Sequence, residues 1–416
     1  MTPAPGWAAE ADLSAGDTAW IIVATALVLF MTLPGLAMFY AGLVRSQAVL
    51  SVIMHCLAIA CLVSLLWLVV GYSLAFGDSM GGVIGGLGKG FFAGVTRDAL
   101  SGSIPEVVFA VFQMTFAIIT PALIVGAYVE RIKFASVLIL SGAWVLLVYV
   151  PVCHWIWGGG WLGTLGVMDF AGGLVVHATS GVSALVIAAL LGRRHGFPDH
   201  THPPHNPGMT AVGAAMLWVG WYGFNGGSQL AADGGAGMAI ASTHIAAAAA
   251  ALTWLAIEWI KFGKMSLIGT AVGVIAGLAT VTPASGFIGP LGALIIGVAA
   301  GGACFVATLM VKQRWKIDDS LDVFAVHGVG GMLGVLLVAV LAAEGLGGVG
   351  LAEGMTVTSQ LGIQVIGLLA TVLWAALATF VIVKITAALT GGLRVREEEE
   401  LEGLDYTAHG EQGYNF

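Results

Sequence analysis

The chain has 416 residues, of which 58% are hydrophobic and only 9% are charged, and its formal net charge is −8. Soluble domains carry about 25% charged residues. This composition therefore excludes an ordinary soluble protein and predicts an all-α polytopic membrane protein, and the negative charge gives no reason to expect a nucleic-acid partner.

Apolar runs of about 20 residues, the length that crosses a bilayer as a helix, follow one another along the chain. We predict eleven transmembrane helices, of which the sixth and the eighth are short and rich in glycine. The predicted spans lie near residues 18–42, 48–76, 105–128, 133–153, 170–192, 209–227, 235–260, 266–283, 287–311, 320–342 and 358–389.

Basic residues indicate the orientation of these spans. Every Lys and Arg except Lys89 and Arg97 falls after, or at the end of, an odd-numbered span. Because loops on the cytoplasmic side carry the excess of Lys and Arg, we expect the N-terminus outside and the C-terminus in the cytoplasm. The sequence thus predicts a multi-pass protein of the cell inner (cytoplasmic) membrane.

Aromatic residues collect at the predicted outer ends of three spans. Phe112 and Phe116 lie one helical turn apart in the third span, Trp157 follows the fourth, and Trp221 and Ser228 close the sixth. Tryptophan at such depths often belongs to an interfacial belt. Phe, Trp and a hydroxyl near one mouth also suit a small cation through cation–π contacts, and spacing alone leaves both interpretations open.

An aspartate and a histidine eight residues apart occur twice inside apolar runs, as Asp169 with His177 and as Asp319 with His327. Ionisable residues at membrane depth usually face an interior or a water path. The two copies are offset by 150 residues and five spans, so they run in opposite directions. They predict an inverted five-helix repeat plus a long eleventh helix, with a site at the repeat interface. Chance remains the alternative, and Asp169 has a second one as a helix cap.

Two polar segments lie on the predicted cytoplasmic side. The loop 193–207 holds four histidines, but it lacks the paired spacing of a dedicated metal site, so we predict no metal and no cofactor. Residues 391–416 form a tail separate from the transmembrane domain, residues 1–390. The tail is either simply solvated or a regulatory segment docked on the inner loops.

Several longer motifs resemble those of the ammonium transporter family (Amt/Mep/Rh), and bacterial Amt proteins most of all. The likeness covers nearly the whole chain in order. The matching segments are Asp169 to Gly173 with His177, Gly220 to Asn225 with Ser228, Asp322 to Phe324 with His327 and Gly328, Thr282 to Ala284, and Gly392 to Val395.

The resemblance implies an eleven-helix trimer with one pore per subunit, and in bacterial members a PII-family signalling protein at the cytoplasmic face. It also implies a role for each matching residue. These roles are ammonium recruitment by Trp157, Ser228 and Phe116, a gate of Phe116 and Phe224, a pore lined by His177, His327 and Trp221, and a structural acid at Asp169.

These residues predict a transporter and not an enzyme. An apolar pore with two histidines offers no carbonyl rings to replace the hydration shell of an ion, so it suits a neutral molecule. We therefore expect ammonium to lose its proton, ammonia to pass, and potassium to be excluded. A proton relay through Asp169 and the histidines is a further hypothesis. Alternatives are a transporter of another small amine or of urea, a membrane-embedded enzyme or metal protein, and an ammonium sensor, for which we expect a long signalling domain after residue 391.

Overall fold

The computed structural model describes residues 12–199 and 202–415, so His200 of the histidine-rich loop lies outside the described residues. The described chain is predominantly helical, and nine of its helices are long and apolar enough to cross a membrane. In chain order these are α1 (Ala15–Leu43), α2 (Val49–Phe76), α3 (Glu106–Tyr128), α4 (Phe134–Leu165, with a break after Ile156), α5 (Gly173–Leu191), α7 (Gly234–Phe262), α9 (Pro290–Arg314), α10 (Phe324–Leu341) and α11 (Val357–Leu389).

Two shorter helices stand where short, glycine-rich spans are expected. Helix α6 (Pro207–Trp221) continues into a wider π-helical turn (Tyr222–Gly226), and α8 (Leu267–Val281) is apolar throughout. The tail adds α12 (Glu397–Glu402) and α13 (Leu404–His409). Length and composition thus support nine spans, and the count of eleven stays a prediction.

The connection between α2 and α3 holds two small antiparallel hairpins, which the sequence does not predict. Strand β1 (Ser79–Met80) pairs with β2 (Ile84–Gly85), and β3 (Leu100–Ser101) pairs with β4 (Ile104–Pro105). Each strand has two residues, so the hairpins shape this connection without changing the helical class of the protein.

Small residues allow several helices to approach closely. Helix α7 packs against both α8 and α9. A Cβ atom on Gly277 of α8 would stand 2.4 Å from the Ala246 carbonyl of α7, and one on Gly297 of α9 would stand 2.5 Å from the same oxygen. Where lipid supplies no hydrophobic force between helices, such close backbone contact stabilises the bundle by van der Waals packing.

One end of the bundle gathers the basic loops and the tail, and is called the basic face below. Arg131, fully buried, donates hydrogen bonds there to the carbonyls of Gly192 and Asp318 and to the hydroxyl of Ser320. Its guanidinium therefore joins the α3–α4, α5–α6 and α9–α10 connections. This arrangement holds the ends of α5 and α10, which carry the residues of the candidate site.

Candidate functional site

The carboxylate of Asp169 caps the start of helix α5. Both oxygens of Asp169 accept backbone N–H groups, four in all from residues 172 to 175, at 2.5 to 3.1 Å. Gly172 has a φ of 119°, which a residue with a Cβ rarely adopts, and lets the chain turn into the helix. Asp169 thus caps the otherwise unsatisfied N–H groups of the first turn. Its carboxylate points at this backbone, whereas its main-chain carbonyl accepts the Trp157 indole N–H at 2.9 Å.

Helix α10 begins in a related way. Asp319 accepts the Phe324 N–H through Oδ2 at 2.7 Å. Asp322, in register with Gly172, also has a left-handed backbone, with a φ of 63°. Each helix then opens with a π-helical turn, Gly173–Ala178 in α5 and Phe324–Gly328 in α10, and each turn carries the histidine. Such wider turns are frequent at functional sites because they redirect side chains.

The two histidines meet where α5 crosses α10. The Nδ1 atoms of His177 and His327 lie 3.2 Å apart, and the ring planes are inclined by only 23°. Both side chains are buried, and Nε2 of His177 has no protein partner. A hydrogen bond between two ring nitrogens needs one N–H and one lone pair. Two neutral imidazoles satisfy this requirement, whereas two imidazolium rings do not.

Aromatic rings form a column on one side of His177. The Phe224 ring lies 6.1 Å from the His177 ring and 4.2 Å from the Phe116 ring, and Phe116 meets Trp157 edge to face at 5.9 Å. Both phenylalanines are about 1% exposed, so they close the column to solvent. Ser228 joins it indirectly, because its hydroxyl donates to the Phe224 carbonyl at 2.8 Å.

Trp221 flanks the histidine pair. Its ring stacks on that of His177 at 5.5 Å and 23°. The indole N–H donates to the Thr282 hydroxyl at 2.9 Å, and this hydroxyl in turn donates to the Leu278 carbonyl. Thr282 therefore fixes Trp221, a role that sequence reasoning missed. The motif Thr282 to Ala284 marks the position in the sequence, but nothing in the motif identifies its partner.

A small cavity borders His327 and reaches, through Leu321, the α9–α10 connection at the basic face. Phe39, Tyr40, Leu321, Val326 and His327 are among the residues that line it. The rings of Trp157, Phe116, Phe224, His177 and His327 and this cavity thus follow one another through the bundle. Such a sequence of apolar and imidazole groups suits a small neutral molecule that both donates and accepts hydrogen bonds.

An ionic cluster covers the basic face. Arg194 bridges two carboxylates, with Glu130 at 3.0 Å and Asp318 at 2.9 Å, and Arg45 lies 3.4 Å from Glu130. Burial raises the pKa of the Glu130 carboxyl, but Arg194 and Arg45 outweigh burial and hold this pKa below its ordinary value. The balance is the same for Asp318, where Arg194 and Arg131 are the opposing charges.

The tail docks on this cluster. Glu400 accepts the His195 N–H at 2.7 Å, and its carbonyl accepts a hydrogen bond from Arg45 at 2.6 Å. Asp405 accepts the N–H groups of Leu50 and Ser51 and so caps α2. The tail therefore contacts the α1–α2 and α5–α6 connections, through the side chains of Glu400 and Asp405 and through the Glu400 carbonyl.

Two of the loop histidines that the structure describes, His195 and His205, make contacts with other segments. His195 lies 3.0 Å from Glu397, and His205 bonds the Val44 carbonyl and the Tyr414 hydroxyl. Across residues 12–199 and 202–415, no three His, Cys, Asp or Glu side chains come together as metal ligands would.

Known proteins share both the sequence pattern and the fold. A family model described as the Ammonium Transporter Family matches residues 19–414. An ammonium transporter of Aquifex aeolicus is 44% identical over 99% of this chain and 96% of its own length, and one of Bacillus subtilis is 44% identical over 96% and 98%. The crystal structure of Saccharomyces cerevisiae Mep2 superimposes with a TM-score of 0.83 at 34% identity, covering 93% of this chain and 92% of that one.

Proposed function

The chain belongs to the ammonium transporter family, and from this premise we propose that it moves ammonium nitrogen across the cytoplasmic membrane as ammonia. The observation that carries the mechanism is the contact between His177 and His327, with Nδ1 atoms 3.2 Å apart, beneath a closed aromatic column.

Recruitment takes place at the outer aromatic mouth. Trp157 and Phe116 present ring faces and edges to a small cation, and Ser228 supplies a hydroxyl oxygen as a hydrogen-bond acceptor. Cation–π contacts contribute about 0.5–2 kcal/mol each, more where water is excluded. This is enough to concentrate ammonium at the mouth without trapping it. Potassium, which has a charge and size similar to those of ammonium, can bind at this mouth as well.

Selection follows at the gate. Phe116 and Phe224 pack with ring centroids 4.2 Å apart, so an intact cation would have to shed its water between two apolar rings. A charge at membrane depth costs several kcal/mol. Ammonium avoids this cost by losing its proton, and potassium has no proton to lose. The neutral molecule then passes the rings.

Conduction uses the imidazole pair. The hydrogen bond between His177 and His327 excludes two charged rings, and between two neutral rings it fixes the tautomers, because one Nδ1 must carry the proton and the other the lone pair. Nε2 of His177 is then free to bond ammonia, which both donates and accepts. Trp221, held by Thr282, supports the His177 ring from the side. The four N–H groups on the Asp169 carboxylate favour its structural role over a proton relay.

The proposed architecture of the protein is eleven spans, arranged as an inverted five-helix repeat to which α11 is added. The related helix starts at Asp169 and Asp319 and the crossing of α5 with α10 support this repeat. The basic face is cytoplasmic by the positive-inside rule, with the N-terminus outside. We further propose a homotrimer with one pore per subunit.

Regulation is proposed at the cytoplasmic face, where the docked tail, residues 391–416, and the ionic cluster offer a surface for a PII-family signalling protein. The contacts of Glu400 and Asp405 support a link between the tail and the inner ends of the helices.

Flux measurements in proteoliposomes test the proposed substrate. The wild-type protein should carry ammonium and methylammonium, exclude potassium, and leave urea at the rate of empty liposomes. Urea flux above that of empty liposomes, or potassium flux comparable to ammonium flux, would contradict the proposed substrate and favour one of the alternatives.

A further inference from the structure

The two halves of the chain differ at the aspartates that begin α5 and α10. Asp169 has both oxygens satisfied by backbone N–H groups. Asp319 accepts the Phe324 N–H through Oδ2, but its Oδ1 contacts no protein donor although the residue is 0% exposed. The repeat thus supplies two aspartates in register, of which one is a complete cap and the other is not.

A second carboxylate stands beside the incomplete cap. Where the first half has Gly172, the second half has Asp322 in the same left-handed backbone conformation. Asp322 binds Lys312 through Oδ2 at 2.7 Å, and its Oδ1 is again buried without a protein donor. Two adjacent acids therefore present two unsatisfied oxygens. A buried carboxylate oxygen without a donor is costly, and a proton on the carboxyl group reduces that cost.

The loop that carries the pair borders the end of the proposed path. Leu321, between the two aspartates, and His327 line the same small cavity together with Tyr40. Tyr40 and Val323 both pack against Gly126, so the loop that carries the aspartates lies directly beside this wall of the cavity. Both carboxylates are within electrostatic range of Tyr40.

The surroundings favour a proton on Asp319 near neutral pH. This residue lies in the connection between α9 and α10, outside both spans. Burial, and then the charge of Asp322, raise the pKa of the Asp319 carboxyl to about 7, while the Phe324 N–H, Lys312 and the Val323 N–H act in the opposite direction. A group that titrates near the working pH can both give and take a proton.

On the premise of the proposed function, we propose that Asp319, assisted by Asp322, is the proton-binding site at the cytoplasmic end of the ammonia path. Ammonia that has passed His327 takes the carboxylic proton. The O–H bond breaks, its electron pair stays on the carboxylate oxygen, and a new N–H bond completes ammonium. The ammonium leaves to the aqueous phase at the basic face, and a hydronium ion from that phase restores the acid.

The variant Asp319→Asn tests this site, because asparagine keeps an oxygen for the Phe324 N–H but cannot transfer the proton. Ammonium flux into proteoliposomes should fall about a hundredfold, at the lower end of what a positioned proton donor contributes. The residual flux should lose its dependence on pH at the basic face, and Asp319→Glu should restore part of both. Asp98→Asn, in the connection between α2 and α3, is the charge-matched control and should behave as the wild type.

Infrared spectroscopy detects the proton without transport. At neutral pH the wild type and Asp98→Asn should show a carboxylic-acid C=O band that shifts in deuterated water, and Asp319→Asn should lack it. The inference is overturned if Asp319→Asn keeps the wild-type flux and pH dependence, or if the wild type shows no such band. A band at Asp319 in a protein that carries no ammonium would overturn the proposed function and leave the proton-binding site standing.

Discussion

Gly181 and Gly328 pack backbone against backbone where α5 crosses α10, so that a Cβ atom on Gly181 would stand 2.2 Å from the Gly328 nitrogen. Gly181 follows His177 by four residues. Gly331, four residues after His327, packs in the same manner against the Cβ of His177. The contact of the two imidazoles therefore depends on the absence of side chains one helical turn further along each helix.

Gly181→Ala should force these helices apart, because backbone atoms cannot move aside as the end of a side chain can. We expect a loss of stability of about 1–3 kcal/mol, typical of overpacking, and a lower ammonium flux as the histidines separate. Thermal unfolding in detergent and proteoliposome flux measure the two effects. Gly302→Ala in α9 is the control, because a Cβ there meets no atom within 4 Å. Equal melting and equal flux for both variants would contradict this prediction.

Thr282→Val should loosen the support of the histidine pair. The change leaves the buried Trp221 indole N–H without an acceptor, at a cost of about 1–3 kcal/mol, and releases the ring that stacks on His177. Thr280→Val is the matched control, because its hydroxyl also bonds a carbonyl of α8 but accepts nothing from a tryptophan. Ammonium flux should fall in the first variant alone. A similar loss in both would assign the effect to α8 as a whole.

Stability should fall in acid because of the cluster on the basic face. Burial raises the pKa of the folded Glu130 carboxyl, but the charges of Arg194 and Arg45 lower this pKa by more. The folded pKa therefore lies below its ordinary value of 4.5. An acid with a lowered folded pKa stabilises the fold above its unfolded pKa, and this contribution is lost as pH falls through the folded value. The melting temperature should therefore drop as the pH falls below the ordinary value of 4.5 and through the lower folded pKa of Glu130.

Glu130→Gln separates this effect from general acid denaturation. The variant should be less stable than the wild type at pH 7, since breaking a buried ion pair costs about 3–5 kcal/mol, and it should show a weaker acid dependence. Glu411→Gln, at an exposed position of the tail, should keep the wild-type profile. An unchanged profile in Glu130→Gln would rule out the cluster as the origin.

The tail should support transport through its docking contacts. Asp405→Ala removes the cap of α2, at a cost of about 1 kcal/mol, and should expose α13 to faster hydrogen exchange and lower the flux. Removal of residues 391–416 should lower transport or its regulation further. Asp405→Asn keeps one of the two capping oxygens, so its effects should be smaller than those of Asp405→Ala. Unchanged flux and unchanged PII binding in the truncated protein would show that the tail supports neither transport nor its regulation.

The sequence predicts those parts of this molecule that depend on periodicity and composition. Apolar runs indicate the long helices, and an offset of 150 residues indicates that His177 and His327 are related. Residues whose roles depend on tertiary contacts stay hidden. No sequence pattern links Thr282 to Trp221. Arg131 resembles the other basic residues of the inner loops in sequence, although it is fully buried and joins three connections.

Local backbone geometry is the other part that the sequence does not reveal. The π-helical turns that carry both histidines and the hairpins between α2 and α3 arise from hydrogen bonds that composition does not specify. The left-handed backbone of Asp322 is equally hidden, because glycine is the residue expected at such a position.

The most direct test of the central claim is the flux and conductance of His177→Ala and His327→Ala beside the wild type. We expect each change to lower ammonium flux about tenfold, the effect of one lost hydrogen bond of about 1.4 kcal/mol, or to abolish the preference for ammonium over potassium. His244→Ala is the control, because this histidine bonds the Tyr222 hydroxyl at the exposed side of α7. If neither pore variant differs from the wild type in rate or in ion preference, ammonia does not pass along this histidine pair.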